Sequence, residues 1–248
     1  MMFNKLCAEF LGTLLLVLFG CGSAVAINSV FGPFPDGGVY VYIALAFGLA
    51  LVMLAYAFGD VSGTHVNPAV TLGLAVAGKF AWCEVLGYVA AQLLGGFCGA
   101  VLVWLFFKSH YEATADQPHA MLGTFCTMPA IANKWRNFFC EMLATCLLVF
   151  LILCLGTAGN AFAFNGASAA TGSLGAFPVT CVIMAIGMSL GGTTGYALNP
   201  ARDLPPRLAH ALLPIKGKGP SGWWYAWVPV FGPLVGCVLA AGIYFLVF

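Results

Sequence analysis

Two stretches of the chain, Ser62-Gly63-Thr64-His65-Val66-Asn67-Pro68-Ala69 and Thr194-Gly195-Tyr196-Ala197-Leu198-Asn199-Pro200-Ala201, close on the same Asn-Pro-Ala triplet. In each triplet the proline falls where a helix can begin, because its missing N–H costs nothing at the first helical position and its fixed φ favours initiation. The asparagine before it is then the N-cap, with its side-chain oxygen turned onto first-turn amides. That leaves the side-chain NH₂ to donate outward. One such triplet is most often an ordinary capped helix. Two copies, each opening a short apolar segment (68–78 and 200–213), ask for more.

The rest of the composition says where these segments lie. Hydrophobic residues make up 62% of the 248 and charged residues only 7%, against roughly 25% charged in a soluble domain. So few charges cannot cover a water-facing surface, and a net charge of +1 offers no basic footprint for nucleic acid. Apolar runs near 6–28, 40–58, 82–107, 134–156, 177–195 and 225–247 each approach the ~20 residues that cross a bilayer core as a helix. The two segments after the triplets are too short to cross and fall in the length class of re-entrant elements. The run at 6–27 is too long for a signal peptide and contains Glu9. Most of the ten cysteines, Cys21, Cys98, Cys146, Cys154, Cys181 and Cys237 among them, sit in apolar runs without paired spacing, which suggests neither a disulfide framework nor a zinc site.

An internal repeat organises these elements. Asn199 follows Asn67 by 132 positions, and Glu141 follows Glu9 by the same 132. The flanks agree, Glu9-Phe10-Leu11-Gly12-Thr13-Leu14-Leu15 reading against Glu141-Met142-Leu143-Ala144-Thr145-Cys146-Leu147. Each half therefore holds three spans and one half-helix, and an odd number of spans makes the second half enter from the opposite side. The expected plan is an all-α membrane protein, a single channel domain over 1–248 with six transmembrane helices and two re-entrant half-helices in two inverted repeats. The first repeat occupies 1–107, an inter-repeat loop 108–133, and the second repeat 134–248. Residues 156–175, rich in small polar residues and free of charge, read as a loop.

Inverted half-helices that dock end to end bring two asparagine amides to mid-membrane, together with two helix N-termini of about half a positive elementary charge each. Such a spot donates to a passing oxygen and repels cations, protons included. The residues before each asparagine cannot be helical up to the cap, and bare backbone at that depth is tolerated where it lines a wet cavity. The carbonyls of Gly63, Thr64, His65, Val66, Gly195, Ala197 and Leu198 are therefore expected along the path. Glu9 and Glu141, placed symmetrically, are expected to accept amides from these loops. Arg202, three residues after an intramembrane N-cap, is costly to bury and marks a functional position, with Asp203 as a candidate partner or, alternatively, as a local cap or salt bridge. Pro205 and Pro206 remove bonds to the carbonyls of Ala201 and Arg202, which predicts a kink or restart.

Ser62-Gly63-Thr64-His65-Val66-Asn67-Pro68-Ala69-Val70-Thr71 and Gly195-Tyr196-Ala197-Leu198-Asn199-Pro200-Ala201-Arg202-Asp203 resemble the signatures of the aquaporin superfamily over essentially the whole chain. Asp203 after the arginine, Arg207, Pro229 and the linker Gly123-Thr124-Phe125 resemble the bacterial glycerol facilitator branch. The resemblance implies a selectivity filter of Phe47, Gly187, Tyr196 and Arg202, where the commonest glycerol filter carries Trp for Phe47 and Phe for Tyr196. Gly187 stands where water-selective members place histidine, which implies a wider neck. Phe47 and Tyr196 offer an apolar corner, and Arg202 offers up to five donors. The resemblance further implies a homotetramer in the cell membrane with cytoplasmic termini, whereas the Lys/Arg count alone would put the N-terminus outside.

The expected function is a passive channel, not an enzyme and without cofactor or metal, through which glycerol, water and other small neutral solutes diffuse while ions and protons are excluded. A water-selective aquaporin is the near alternative, set against by Gly187 and Asp203. A proton-coupled secondary transporter is the alternative of another class, since inverted repeats occur there too. It would need alternating titratable groups, and His65 is the only histidine near the path.

Overall fold

The computed structural model describes residues 2–30, 38–155, 163–164, 167–168 and 177–248. Five helices are long and apolar enough to cross a membrane: α1 (Met2–Val25, continued by a π-helical turn, Ala26–Val30), α2 (Gly38–Ser62), α4 (Trp82–Phe106), α7 (Lys134–Leu155) and α10 (Val228–Val247). The half-helices are α3 (Pro68–Val76) and α9 (Pro200–Leu212), within two residues of the expected segments. The sixth expected span is α8 (Phe177–Leu190), 14 described residues that stop five short of position 195. Gly191 and Gly192 end it, and the Gly195 amide returns to the Gly191 carbonyl at 2.8 Å, releasing the chain into the non-helical approach to Asn199. The last span starts at Val228 rather than 225, where Pro229 initiates the helix.

The linker is more ordered than a loop. It folds into α5 (Lys108–Ala113) and α6 (Pro118–Phe125), the second opened by a proline in its first turn. Most of the expected loop at 156–175 lies outside the described residues, apart from a two-residue antiparallel pairing of Ala163–Phe164 with Ala167–Ser168. At Pro205 and Pro206 the expected restart does not occur, and α9 runs as one helix. The carbonyl of Ala201, which Pro205 cannot bond, lies against Gly96 of α4. A side chain at position 96 would occupy that place.

Helices in lipid gain nothing from hiding apolar side chains against one another, so close backbone approach through small residues holds them together. Gly95 and Gly99 of α4 lie on the backbone of α1, at the carbonyls of Phe10 and Leu14. Gly232 and Gly236 of α10 lie on α7, at Glu141 and the Met142 carbonyl. Helices α1 with α4 and α7 with α10 are accordingly the two tightest pairs, while α3 packs on α10 and α9 packs on α4. Each half-helix thus leans on a long helix from the other part of the chain. Across the membrane-facing surface, Leu86, Phe106, Phe231 and Leu246 are among many exposed apolar side chains. A multi-pass membrane protein accounts for them.

A leucine at Gly95 or Gly236 would drive into a neighbouring backbone, so each should destabilise by about 1–3 kcal/mol and lower the melting temperature of the detergent-solubilised protein. Gly242→Leu, where nothing lies within 4 Å of an added Cβ, should leave it unchanged.

Candidate functional site

The two triplets meet. Asn67, in extended conformation at φ −157° and ψ 118°, caps α3 by accepting the Ala69 amide on Oδ1 at 2.9 Å. Asn199 caps α9 through the Ala201 amide, also at 2.9 Å. Their Nδ2 groups cross over: Asn67 donates to the Leu198 carbonyl at 3.0 Å, and Asn199 donates to the Val66 carbonyl at 2.8 Å. Expectation and structure differ here in one respect. The amides are not wholly free, because one N–H of each holds the opposite loop and the other is left for the path. Both asparagines line a cavity of about 370 Å³. Pro68, Ala69, Pro200 and Ala201 stand behind them as the buried first turns of the half-helices.

The loops leading to the caps are held in an unfavourable backbone. Thr64 (φ 49°), Val66 (φ 43°), Tyr196 (φ 41°) and Leu198 (φ 55°) are non-glycine residues in the left-handed region, alongside Gly63 and Gly195. For side chains of this size such angles cost on the order of 1–3 kcal/mol each and persist only where the surroundings fix them. Successive residues alternating between left-handed and ordinary φ turn adjacent N–H groups into one concave cradle for an anion. In this chain the anion is a carboxylate. The amides of His65 and Val66 donate to Glu9 at 2.9 and 2.7 Å. The amides of Ala197 and Leu198 donate to Glu141 at 2.9 Å each.

Both carboxylates are fully buried. Glu9 also accepts from Ser62 Oγ and Gln92 Nε2, each at 2.7 Å, and Glu141 accepts a side-chain hydrogen bond from Thr194. With the amides turned to the carboxylates, the loops show the cavity their other face. Gly63, Thr64, His65, Val66, Ala197 and Leu198 all lie on its wall. Gly195 does not, and packs instead against Thr127.

His65 is tied down on one side of its ring: Nδ1 lies 3.1 Å from Thr71 Oγ1, which also accepts from Gln92 Nε2 at 2.9 Å and lies 3.1 Å from the Asn67 carbonyl.

Of the four expected filter residues, the structure brings Phe47, Tyr196 and Arg202 onto the cavity wall. The Phe47 and Tyr196 rings meet edge to face at 6.5 Å and 79°. The Arg202 guanidinium carbon stands 4.9 Å from the Phe47 ring centroid. Gly187 is not on the wall. A Cβ there would lie 2.9 Å from Ala44 Cβ and 3.1 Å from Tyr196 Cε2 and Cζ. The missing side chain seats the tyrosine ring. Similarly, Gly20 of α1 lies directly under the Phe47 ring, where a side chain would overlap it. The Tyr196 hydroxyl is buried without a hydrogen-bond partner among the described residues.

Asp203 is not the partner of Arg202. It pairs with Arg207, accepting Nε at 3.0 Å and Nη2 at 2.9 Å on Oδ1. Its Oδ2 accepts the Thr127 amide and hydroxyl at 2.7 and 2.8 Å. Arg207, fully buried, also donates to the carbonyls of Thr127, Ser221 and Gly222. This clasp fixes the segment just after α6, and the last residue of α6 supplies the Phe125 carbonyl that takes Arg202 Nη1 at 3.3 Å. Cys21 Sγ completes the seat at 3.9 Å. The structure thus adds Phe125, Thr127, Arg207, Gln92 and Ser62 to the site. Ser62, at the head of the first motif, the linker triplet at 123–125 and Arg207 gave a signal in the sequence; a carbonyl contact from a linker has no side-chain signature.

A family profile described as Major intrinsic protein matches residues 1–244. The chain is 46% identical over 228 residues to a glycerol uptake facilitator protein of Bacillus subtilis, covering 92% of this chain and 79% of the other. It is 47% identical over 237 residues to glycerol uptake facilitator protein 3 of Lactiplantibacillus plantarum, covering 96% and 94%. Among solved structures, the aquaglyceroporin from Plasmodium falciparum superposes with a TM-score of 0.82 at 28% identity, covering 98% of this chain and 96% of the other.

Removing a carboxylate strands at least two buried amides at about 1–3 kcal/mol each. Glu9→Ala and Glu141→Ala should therefore cut the yield of folded protein, or the permeability per folded molecule, by about tenfold or more, in membranes where the exposed change Asp116→Ala does neither.

Proposed function

Because the chain belongs to the major intrinsic protein family, we propose that it is a passive channel for glycerol and similar small uncharged solutes, with water passing alongside. The observation that carries this reading is the two-sided constriction: an aromatic corner of Phe47 and Tyr196 facing a guanidinium anchored behind at Phe125. A small polyol is apolar along its carbon edge and polar along its hydroxyl edge. Its carbons lie on the aromatic corner while Arg202 donates to its hydroxyl oxygens. A neutral solute surrenders its water at this neck and recovers hydrogen bonds from Arg202, from the loop carbonyls and from the free N–H of each asparagine. An ion surrenders far more and recovers little.

Proton exclusion follows from the crossing amides. Asn67 and Asn199 only donate into the path from their nitrogens, and the N-termini of α3 and α9 add positive potential. A water between them has both lone pairs engaged by donors and cannot pass a proton along the file. No step requires an acid, a base or a conformational cycle, and His65 is held by Thr71 on one nitrogen. A channel fits these features better than a proton-coupled carrier.

The two repeats, 1–107 and 134–248, are read as inverted copies. The equivalent grips of Glu9 and Glu141 and the reciprocal asparagine bonds support this. Family membership supports a homotetramer in the cell membrane with both termini cytoplasmic. The sealed seat of Gly187 refines the comparison with a water-selective channel: a bulky residue there has to displace Tyr196 before it narrows the bore.

Stopped-flow light scattering on proteoliposomes tests the proposal. The wild-type protein should pass glycerol down its gradient with no dependence on a pH gradient and no proton leak. Gly187→His should reduce glycerol permeability about tenfold, the effect of ~1.4 kcal/mol of added barrier, and reduce water permeability less. Glycerol accumulation against its gradient, driven by protons, would overturn the channel reading.

A further inference from the structure

We propose that a second cavity, between the end of α4 and the segment that follows α9, holds the headgroup of an anionic phospholipid, its phosphate gripped by Lys108 and Lys216. From Val85 to Phe107 the chain carries no charge, and Leu105 and Phe106 are 53% and 79% exposed. The first charge after them is Lys108. The end of α4 therefore marks the level where hydrocarbon gives way to headgroups, the level that tryptophan and lysine favour. Trp104 stands there, with Lys108 Nζ 5.9 Å from its ring centroid.

The cavity, about 290 Å³, is lined by Trp104, Lys108, Tyr111, Glu112, Pro214, Ile215 and Lys216. Tyr111 and Ile215 are buried and form an apolar floor, the tyrosine hydroxyl being tied to Thr124 at 2.7 Å. Among the described residues, Lys108, Lys216 and Glu112 form no ion pair. Three other cations of the chain are occupied. Lys5 is paired with Glu84, Arg207 with Asp203, and Lys218 caps α9 by donating to the carbonyls of His210, Ala211 and Leu213.

Two ammonium groups and one carboxylate leave this cavity one positive charge in excess. A phosphodiester supplies the missing negative charge, and lysine ammoniums hold phosphate as compact point charges. A headgroup bearing hydroxyls can then donate to the Glu112 carboxylate. Phosphatidylglycerol has both properties, and its acyl chains would continue down the exposed face of Leu105 and Phe106. A free phosphate would lack that second anchor.

Native mass spectrometry of the full chain, released from nanodiscs of equimolar phosphatidylglycerol and phosphatidylcholine, tests this. The protein should retain phosphatidylglycerol in preference to phosphatidylcholine. The double variant Lys108→Gln/Lys216→Gln should lose roughly 30-fold of that preference, from about 1 kcal/mol for each lysine near a charged surface. Lys134→Gln removes an exposed lysine that also sits 5.9 Å from a tryptophan ring, that of Trp224, away from this cavity, and should change nothing. Equal retention by the double variant, equal retention of the two lipids, or displacement of the bound lipid by excess inorganic phosphate would each overturn the proposal. All of the substituted lysines are exposed, and a monodisperse size-exclusion profile with unchanged glycerol flux separates lost lipid binding from lost fold.

Discussion

A backbone amide without an acceptor is hard to keep in a membrane interior, and the central loops of this protein depend on two buried carboxylates to meet that demand. Glu9 and Glu141 each gather two consecutive amides from a chain segment whose φ angles alternate in sign. The grip explains the strain, because the left-handed angles at Thr64, Val66, Tyr196 and Leu198 are what turn the amides to one side. It also explains the path, because the amides face the carboxylates and the loops turn their other side to the cavity. The cost of burying two negative charges is offset by four donors on Glu9 and a comparable set on Glu141. A neutral side chain of the same size would offer fewer acceptors to the same amides.

The constriction depends on the same economy of burial, applied to cations. Arg202 finds no carboxylate in its seat and rests on a carbonyl, a thiol and an aromatic face. Its charge is therefore not paired with a carboxylate, and it lines the cavity. The nearby carboxylate of Asp203 is engaged by Arg207 and Thr127 instead. One residue of this pair of neighbours faces the cavity and the other serves the scaffold. Adjacent positions in the sequence thus have opposite tasks.

Much of this was legible in the sequence. The Asn-Pro-Ala triplets fixed both half-helices to within two residues, and the shared spacing of Glu9 and Glu141 pointed to their amide contacts. Both readings rest on local chemistry, a cap and a carboxylate, which residue types report directly. What residue types do not report has a common cause. The end of α8, the choice of Asp203 between Arg202 and a local salt bridge, and what packs on Gly187 depend on what lies opposite in space. At position 187 the Tyr196 ring takes the room that glycine leaves. The linker read as a loop because α5 and α6 are short and α5 is polar, and their apolar contacts come from Tyr111, Met121 and Phe125 packing into the bundle. A carbonyl that seats an arginine leaves no trace in residue types at all.

The packing of α3 on α10 and of α9 on α4 has a bearing on biogenesis. Among the described helices α10 is synthesised last, so α3, made from residues 68–76, leaves the ribosome long before its support exists. The first pore loop meets α1 and α4 first, and gains its contact with α10 only when that helix has been delivered to the bilayer. For α9 the order is reversed, since α4 already stands when it emerges. The two halves of the pore, alike in geometry, therefore mature by different schedules, and a chain interrupted just before α10 would damage the loop encoded furthest from the break.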